Sequence, residues 1–247
     1  IANEGNGMNM YDMNYYGTSV QFQIVNNIIA NNQYNNYFDI YSAGNVLFAH
    51  NTMICQNDYA MYIGVGYAYS DVDVVSNILV TQSGQAAFYI DEYGTTFPAP
   101  FTMIDGNDYY NTGGGAIVQE YLGSSTISFN DIASLQKAMA SFSYTNPFNG
   151  SSGIFDQYST NMNPTFVNAS GNNYHLSQKV VQPSGVYAGV DVDIDGDARC
   201  KLFPTAGADE SSYGKSKPTV KFFLPARIFP GSPTYIYQTA KAGEPKF

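Results

Sequence analysis

Along the first half of the chain, apolar and polar positions recur as one unit: a branched or apolar pair, a polar residue, an Asn, then further apolar residues. The unit reads Ile24-Val25-Asn26-Asn27-Ile28-Ile29, Phe48-Ala49-His50-Asn51-Thr52-Met53-Ile54, Val74-Val75-Ser76-Asn77-Ile78-Leu79-Val80 and Met103-Ile104-Asp105-Gly106-Asn107-Asp108-Tyr109. Its asparagines, Asn27, Asn51, Asn77 and Asn107, lie 24, 26 and 30 residues apart. A period near two dozen predicts stacked coils rather than a compact globule. About a dozen residues after each Asn comes a second apolar segment: Phe38-Asp39-Ile40-Tyr41, Ala60-Met61-Tyr62-Ile63, Ala87-Phe88-Tyr89-Ile90 and Ala116-Ile117-Val118. Two short strand-like segments per period, separated by Asn-, Gly-, Ser- and Tyr-rich turns, predict an all-β parallel β-helix, each segment pairing with its counterpart in the next coil. Leucine-rich repeats share the period but need Leu at fixed offsets, and Leu47, Leu79 and Leu122 are the only ones before residue 130. An interior Asn recurring at one turn can stack as an amide ladder, so the four are expected to be structural.

The repeat assigns residues 1–121 to coils, with Met8-Asn9-Met10-Tyr11 as the partner of the Ile40 row one coil earlier. Residues 122–212 form the last coils and a capping region. There Ile132, Leu135, Ala138 and Met139 recur at helical spacing behind a Ser or Asn cap, which predicts a short amphipathic helix near 130–140 shielding the solenoid flank or end. Ile1-Ala2-Asn3-Glu4-Gly5-Asn6-Gly7 reads as the turn of an earlier coil, which predicts that the solenoid extends upstream.

The capping region carries Asn163-Pro164-Thr165-Phe166-Val167, Asn173-Tyr174-His175-Leu176-Ser177, Ala188-Gly189-Val190-Asp191, Asp195-Gly196-Asp197-Ala198-Arg199 and Ala206-Gly207-Ala208-Asp209-Glu210 in order. This series resembles the closing region of secreted bacterial right-handed parallel β-helix proteins, whose D-P-x-F-like turn, Y-x-L strand, D-x-D-G-x-x-R loop and final I-G-A-x-E follow the same order. Thr205-Ala206 stands where that family has Asp-Ile, which puts the pairing of the final coil in question. The segment 213–247 changes character: it is Pro-rich, holds six of the ten cations, and has strand-like runs at Val220–Leu224 and around Ile228-Phe229. It resembles the first strands of a PKD-like, immunoglobulin-type sandwich, which needs about seven strands and so is expected to continue past Phe247. The combination resembles exported proteins of the Bacteroidota, in which such helices precede PKD-like modules.

Charge narrows the partners. Charged residues make up 12% of the chain, Tyr supplies 22 positions, and the formal charge is −10. No Lys or Arg precedes Lys137, while eleven Asp and Glu precede residue 122. A surface without cations repels phosphate backbones, so nucleic acid is excluded as a partner. Acidic polysaccharides are disfavoured unless a divalent metal bridges them. No stretch reaches the roughly 18–20 apolar residues of a membrane span. Cys55 and Cys200 have no metal-ligand spacing, and Cys55 lies on an apolar run as a buried thiol.

Asp191, Asp193, Asp195 and Asp197 alternate around Gly196 and could ligate calcium, although the twelfth position of an EF-hand loop would be Leu202 instead of Glu. The competing reading is a strand with Val190, Val192 and Ile194 inward, the acids outward, and Arg199 clamped to Asp195 or Asp197. Glycoside hydrolysis needs two carboxyls about 5–10 Å apart, for which Asp71 and Asp73, with Asp91, are the candidates. Asp91 with Glu92 and Asp105 with Asp108 are further acidic pairs. A β-helix polysaccharide lyase would use a Lys or Arg base, which the coils lack; His50 reads as a wall residue and His175, beside Tyr174 in the capping region, as structural. Tyr rings beside amides suit sugars, whose CH faces stack on the ring while amides bind hydroxyls. Tyr67, Tyr69, Tyr93, Tyr109 and Tyr110 are the glycan-binding candidates, and shielding of the coil flanks is the alternative role for such rings.

The sequence therefore predicts a secreted or cell-surface β-helix, foremost a noncatalytic adhesin or stalk recognising neutral glycan or other surface proteins. The rivals are a carbohydrate-active enzyme and a structural subunit of a surface assembly, the latter favoured by an exposed coil edge able to pair with another chain.

Overall fold

A computed structural model describes residues 7–10, 22–40, 45–66, 71–93, 101–213, 220–222 and 238–240. The Asn-centred unit is cut into two strands by a turn, so each coil has three strands where the repeat alone suggested two. After β1 (Asn9–Met10), the coils run β2 (Phe22–Val25), β3 (Ile28–Asn32), β4 (Asn36–Ile40); β5 (Val46–Ala49), β6 (Thr52–Cys55), β7 (Met61–Gly66); β8 (Val72–Val75), β9 (Ile78–Thr81), β10 (Phe88–Tyr93); and β11 (Phe101–Asp105), β12 (Asp108–Asn111), β13 (Val118–Tyr121). Like pairs with like, in parallel: β2-β5-β8-β11, β3-β6-β9-β12 and β1-β4-β7-β10-β13 form three sheet faces. This is the parallel β-helix that the period predicted. Asn9 pairs with Tyr37 and Met10 with Phe38, so the expected earlier coil is present at this face.

The turn between the first two strands of each coil depends on one left-handed residue. Asn26, His50, Ser76 and Gly106 occupy it with φ of 56, 54, 57 and 66°. A non-Gly residue there costs roughly 1–2 kcal/mol. The Asn that follows offsets that cost. Asn27 Nδ2 donates to Asn51 Oδ1 at 2.9 Å, Asn51 to Asn77 at 3.0 Å, and Asn77 to Asn107 at 3.0 Å. The amides of Asn51, Asn77 and Asn107 also reach back to a carbonyl of the preceding coil, those of Ile24, Phe48 and Val74, while Asn27 donates to Val25 O of its own coil. His50, fully buried, is a wall residue of this turn row. The coils enclose one continuous apolar core, with Phe38, Phe48, Met61, Ile63, Leu79, Phe88 and Tyr109 fully or almost fully buried.

The last coil is roofed. Strand β14 (Thr126–Phe129) pairs antiparallel with β13, and helix α1 (Ile132–Met139) follows it. Asp131 caps the helix, accepting from Ser134 N at 2.8 Å, one residue beyond the expected Ser or Asn. Leu135 and Met139 enter the core. A hairpin of β15 (Ser143–Thr145) and β16 (Ser152–Ile154) packs beside it, and an arm of β17 (Phe166–Asn168) and β18 (Asn173–Leu176) follows. No helix among the described residues is long and apolar enough to cross a membrane.

Residues 183–211 form a strap that runs back along the left-handed turn row. Ser76 Oγ exchanges hydrogen bonds with Val186 N and O, both at 2.8 Å, and Ala208 N donates to Thr52 Oγ1 at 3.0 Å. Asn26 Nδ2 donates to Val192 O at 2.8 Å and its Oδ1 accepts from Arg199 Nη2 at 2.9 Å. Thr205, where the closing series departs from the family's pattern, bridges antiparallel to Ser184. The strand reading fails at the centre of the Asp loop: Asp193 is buried while Val192 and Ile194 are exposed, although Asp191, Asp195 and Asp197 face outward as expected. The cause is local, because Asp193 Oδ1 accepts the N–H groups of Asp195 and Asp197, and Oδ2 that of Glu210. Arg199 pairs with Glu210 at 3.2 Å rather than with Asp195 or Asp197. Of the closing segment, Val220–Phe222 (β19) pairs antiparallel with Gln238–Ala240 (β20); the rest of the sandwich expectation lies outside the described residues.

Candidate functional site

The acids of the coils are mostly buried and engaged by the fold. Asp73, 2% exposed, accepts from Thr102 Oγ1 at 2.7 Å. Burial raises its carboxyl to about 6, against that hydrogen bond and with help from nearby Asp71, which is exposed. Asp91 accepts the hydroxyl of Tyr62. Asp105 accepts from Tyr144 Oη at 2.5 Å and from the backbone N–H of Tyr158 and Gly106; burial raises it to about 6. Asp108 accepts from Thr160 Oγ1 and Met162 N, both at 2.7 Å, and burial raises it to about 7. Each acid thus ties a coil to its neighbour or to the roof. One acidic pair was not anticipated: Glu120, in register with core residue Ile90, lies near Glu92, and burial raises its carboxyl above the usual range. An acid at an inward position has no marker in sequence beyond its parity.

The tyrosines divide by register. Tyr37, Tyr62 and Tyr89 share one outward row of the β4-β7-β10 face. They stack with centroids 4.6 and 4.9 Å apart, and Tyr59 lies 4.5 Å from Tyr89. Rings stacked along the solenoid axis cover each other's faces, so this ladder meets solvent mainly with its edges. Tyr109, expected to bind glycan, is instead fully buried. It follows Met53 and Leu79 in an inward row, and its hydroxyl donates to Asp156 Oδ1 at 2.8 Å. Tyr67 and Tyr69 lie outside the described residues, as does the side chain of Tyr93 at the end of β10.

Tyr110 sits differently. It continues the outward row of Ile54 and Val80 on the β6-β9-β12 face, and the arm folds over that row. Between them is a hollow of about 360 Å³, with Ile54, Val80 and Tyr110 on the solenoid side and Phe166 and Tyr174 on the arm. Gln82, Thr112, Asn163 and Ser170 supply amides and hydroxyls at its margin, and among the described residues no charged side chain lines it. Phe166 and Tyr174 meet edge to face at 5.4 Å. Both segments of the arm stand in the closing series read from the sequence, but their packing with Tyr110 spans more than fifty residues and leaves no local trace.

The Asp loop gathers a different set of acids from the four that alternate in sequence. Asp193, Asp195 and Asp209 each bring a carboxylate oxygen within 4.8 Å of the others. Asp191 turns away to Lys201 at 2.9 Å and Tyr187 Oη at 2.8 Å. Asp197 lines a separate hollow of about 570 Å³ together with His175, Asp195 and Asp209. Calcium takes six to eight oxygens, yet both oxygens of Asp193 already accept backbone N–H groups, and Asp209 Oδ2 accepts Leu176 N at 2.5 Å. Burial pushes Asp193 up, but those bonds and Arg199 outweigh it and hold the carboxyl below its usual range. Asp209, raised by burial to about 6, has the opposite balance. His175 Nε2 pairs with Asp195 Oδ2 at 3.1 Å. The loop's geometry is that of a clasp closing the strap on the arm. No protein-family model, no curated protein and no solved structure matches this chain.

Proposed function

We propose that the chain is a noncatalytic β-helix segment of a secreted or cell-surface protein, a stalk or adhesin that recognises neutral glycan. The observation that carries this reading is the division of chemistry between inside and outside. Asp73, Asp91, Asp105 and Asp108 are spent on hydrogen bonds that hold the coils together. The flank over β12 offers aromatic rings, amides and hydroxyls, with no charged group among its described residues. Hydrolysis needs one free carboxyl as acid and a second as nucleophile or base; rings and amides need only a sugar to stack and bond.

One observation favours the rival, a carbohydrate-active enzyme: Asp73 has a raised carboxyl near the exposed Asp71. The test is incubation with neutral and acidic polysaccharides, with and without calcium, while reducing ends are counted. Retention without release supports recognition. Release that disappears in Asp71→Asn or Asp73→Asn makes the protein a glycosidase.

A further inference from the structure

We propose that the hollow between the β6-β9-β12 flank and the β17-β18 arm holds one uncharged pyranose ring of a glycan chain, with Tyr110 as its stacking platform. The assignment rests on the proposal that the chain recognises neutral glycan and names where it does so.

The chemistry comes from register. On the outward face of this sheet the row Ile54, Val80, Tyr110 ends in its largest member, at the coil beneath the arm. Phe166 and Tyr174 contact each other edge to face, so the two rings form an angled wall rather than a closed stack. The hollow therefore has an aliphatic and aromatic floor and an aromatic wall, while the side-chain amides of Gln82 and Asn163 stand exposed at its margin. A pyranose has the same division, with CH groups on its faces and hydroxyls around its edge. The volume of about 360 Å³ lies at the small end of the roughly 300–1,000 Å³ of small-molecule sites and suits a single ring with its linkage atoms.

Charge selects among sugars. Among the described residues no cationic side chain lines the hollow, and the whole chain carries a formal −10. A uronate or sulfated residue would enter without a counter-charge and lose hydration. The neighbouring Tyr37-Tyr62-Tyr89 ladder is a poorer platform, since its faces are already covered by one another.

The test is affinity electrophoresis of the intact chain through gels containing neutral polysaccharides (β-glucan, mannan, xylan, galactan, chitosan after full N-acetylation) and acidic polygalacturonate and alginate. Binding of the neutral oligosaccharide so identified is then titrated against variants. Tyr110→Ala is expected to lose at least tenfold in affinity and Asn163→Ala, on the exposed loop, severalfold, with circular dichroism and thermal midpoint of Asn163→Ala unchanged. Tyr89→Ala is expected to stay within twofold. If the wild type binds neutral glycan and both Tyr110→Ala and Asn163→Ala bind as well as it does, the hollow is not the site and the glycan proposal survives. If Tyr89→Ala abolishes binding instead, the ladder is the site. Binding to no neutral polysaccharide, or only to the acidic ones, overturns the assignment and the glycan proposal together.

Discussion

At Asn77 one side chain closes four hydrogen bonds: its amide donates to Asn107 Oδ1 and Phe48 O, and its carbonyl oxygen accepts from the backbone N–H and side-chain amide of Asn51. All of it is buried. Removing one partner leaves buried groups unsatisfied at about 1–3 kcal/mol each, so Asn77→Ala is expected to cost roughly 2–4 kcal/mol in urea unfolding with little change in m. Asn27→Ala, at the partly exposed end of the row, should cost less. Equal and near-zero losses at both positions would mean that the ladder does not hold the turns. This row was legible because it repeats: each Asn follows a polar or Gly residue at the same offset. Tyr109 could have been read by the same logic. It stands two residues after its Asn, as Ile29, Met53 and Leu79 do, and that parity faces the core. Its aromatic type suggested a surface role, and position decided against it.

At the scale of elements, the strap is the part of the fold that period alone does not reveal. Arg199 is buried, and its guanidinium meets Glu210, Asn26 Oδ1 and the carbonyls of Thr205, Gly207 and Ala208. Breaking a buried pair by deleting one member costs about 3–5 kcal/mol. Arg199→Ala should therefore lose protection from hydrogen exchange across residues 185–210 before the coils lose theirs; uniform loss across coils and strap would contradict a separate closing element. Gly106 is a second lock. Its φ is 66°, and a Cβ there would stand 2.7 Å from Val186 N. Gly106→Ala is expected to destabilise by more than about 1 kcal/mol and to open the strap at its Ser76 contact, read as faster exchange of the Val186 amide. The motifs of the strap were legible as a series in the right order. Their geometry was not, because the Asp193 carboxylate takes three backbone N–H groups and so turns inward a residue that simple alternation sends out. The apolar residues beside it, Val192 and Ile194, are exposed as a result.

For the whole molecule, the buried acids make stability depend on pH in an unusual direction. Burial raises Asp73, Asp105 and Asp209 to about 6 and Asp108 and Asp156 to about 7, against roughly 3.9 in an unfolded chain. Between about pH 4 and 7 the folded state binds more protons than the unfolded one, so stability falls as pH rises through that window. Asp193 is depressed and works the other way, its contribution complete above the unfolded value of roughly 3.9 and lost as pH falls from there through the folded value. The urea midpoint is expected to be higher at pH 5 than at pH 7.5, and Asp108→Asn, which keeps the acceptor and removes the proton, should flatten part of that slope. A midpoint that climbs steadily from pH 5 to 7.5 would mean these carboxyls are better solvated than the fold implies. The proposed recognition of neutral glycan at the flank over β12 has its most direct test in retention of the intact chain on immobilised neutral polysaccharide at 20 and 500 mM NaCl, with the eluate assayed for new reducing ends. Contacts through rings and amides predict retention that salt does not weaken and no released sugar. Retention lost at high salt, confined to acidic polysaccharide, or accompanied by liberated ends would contradict the account.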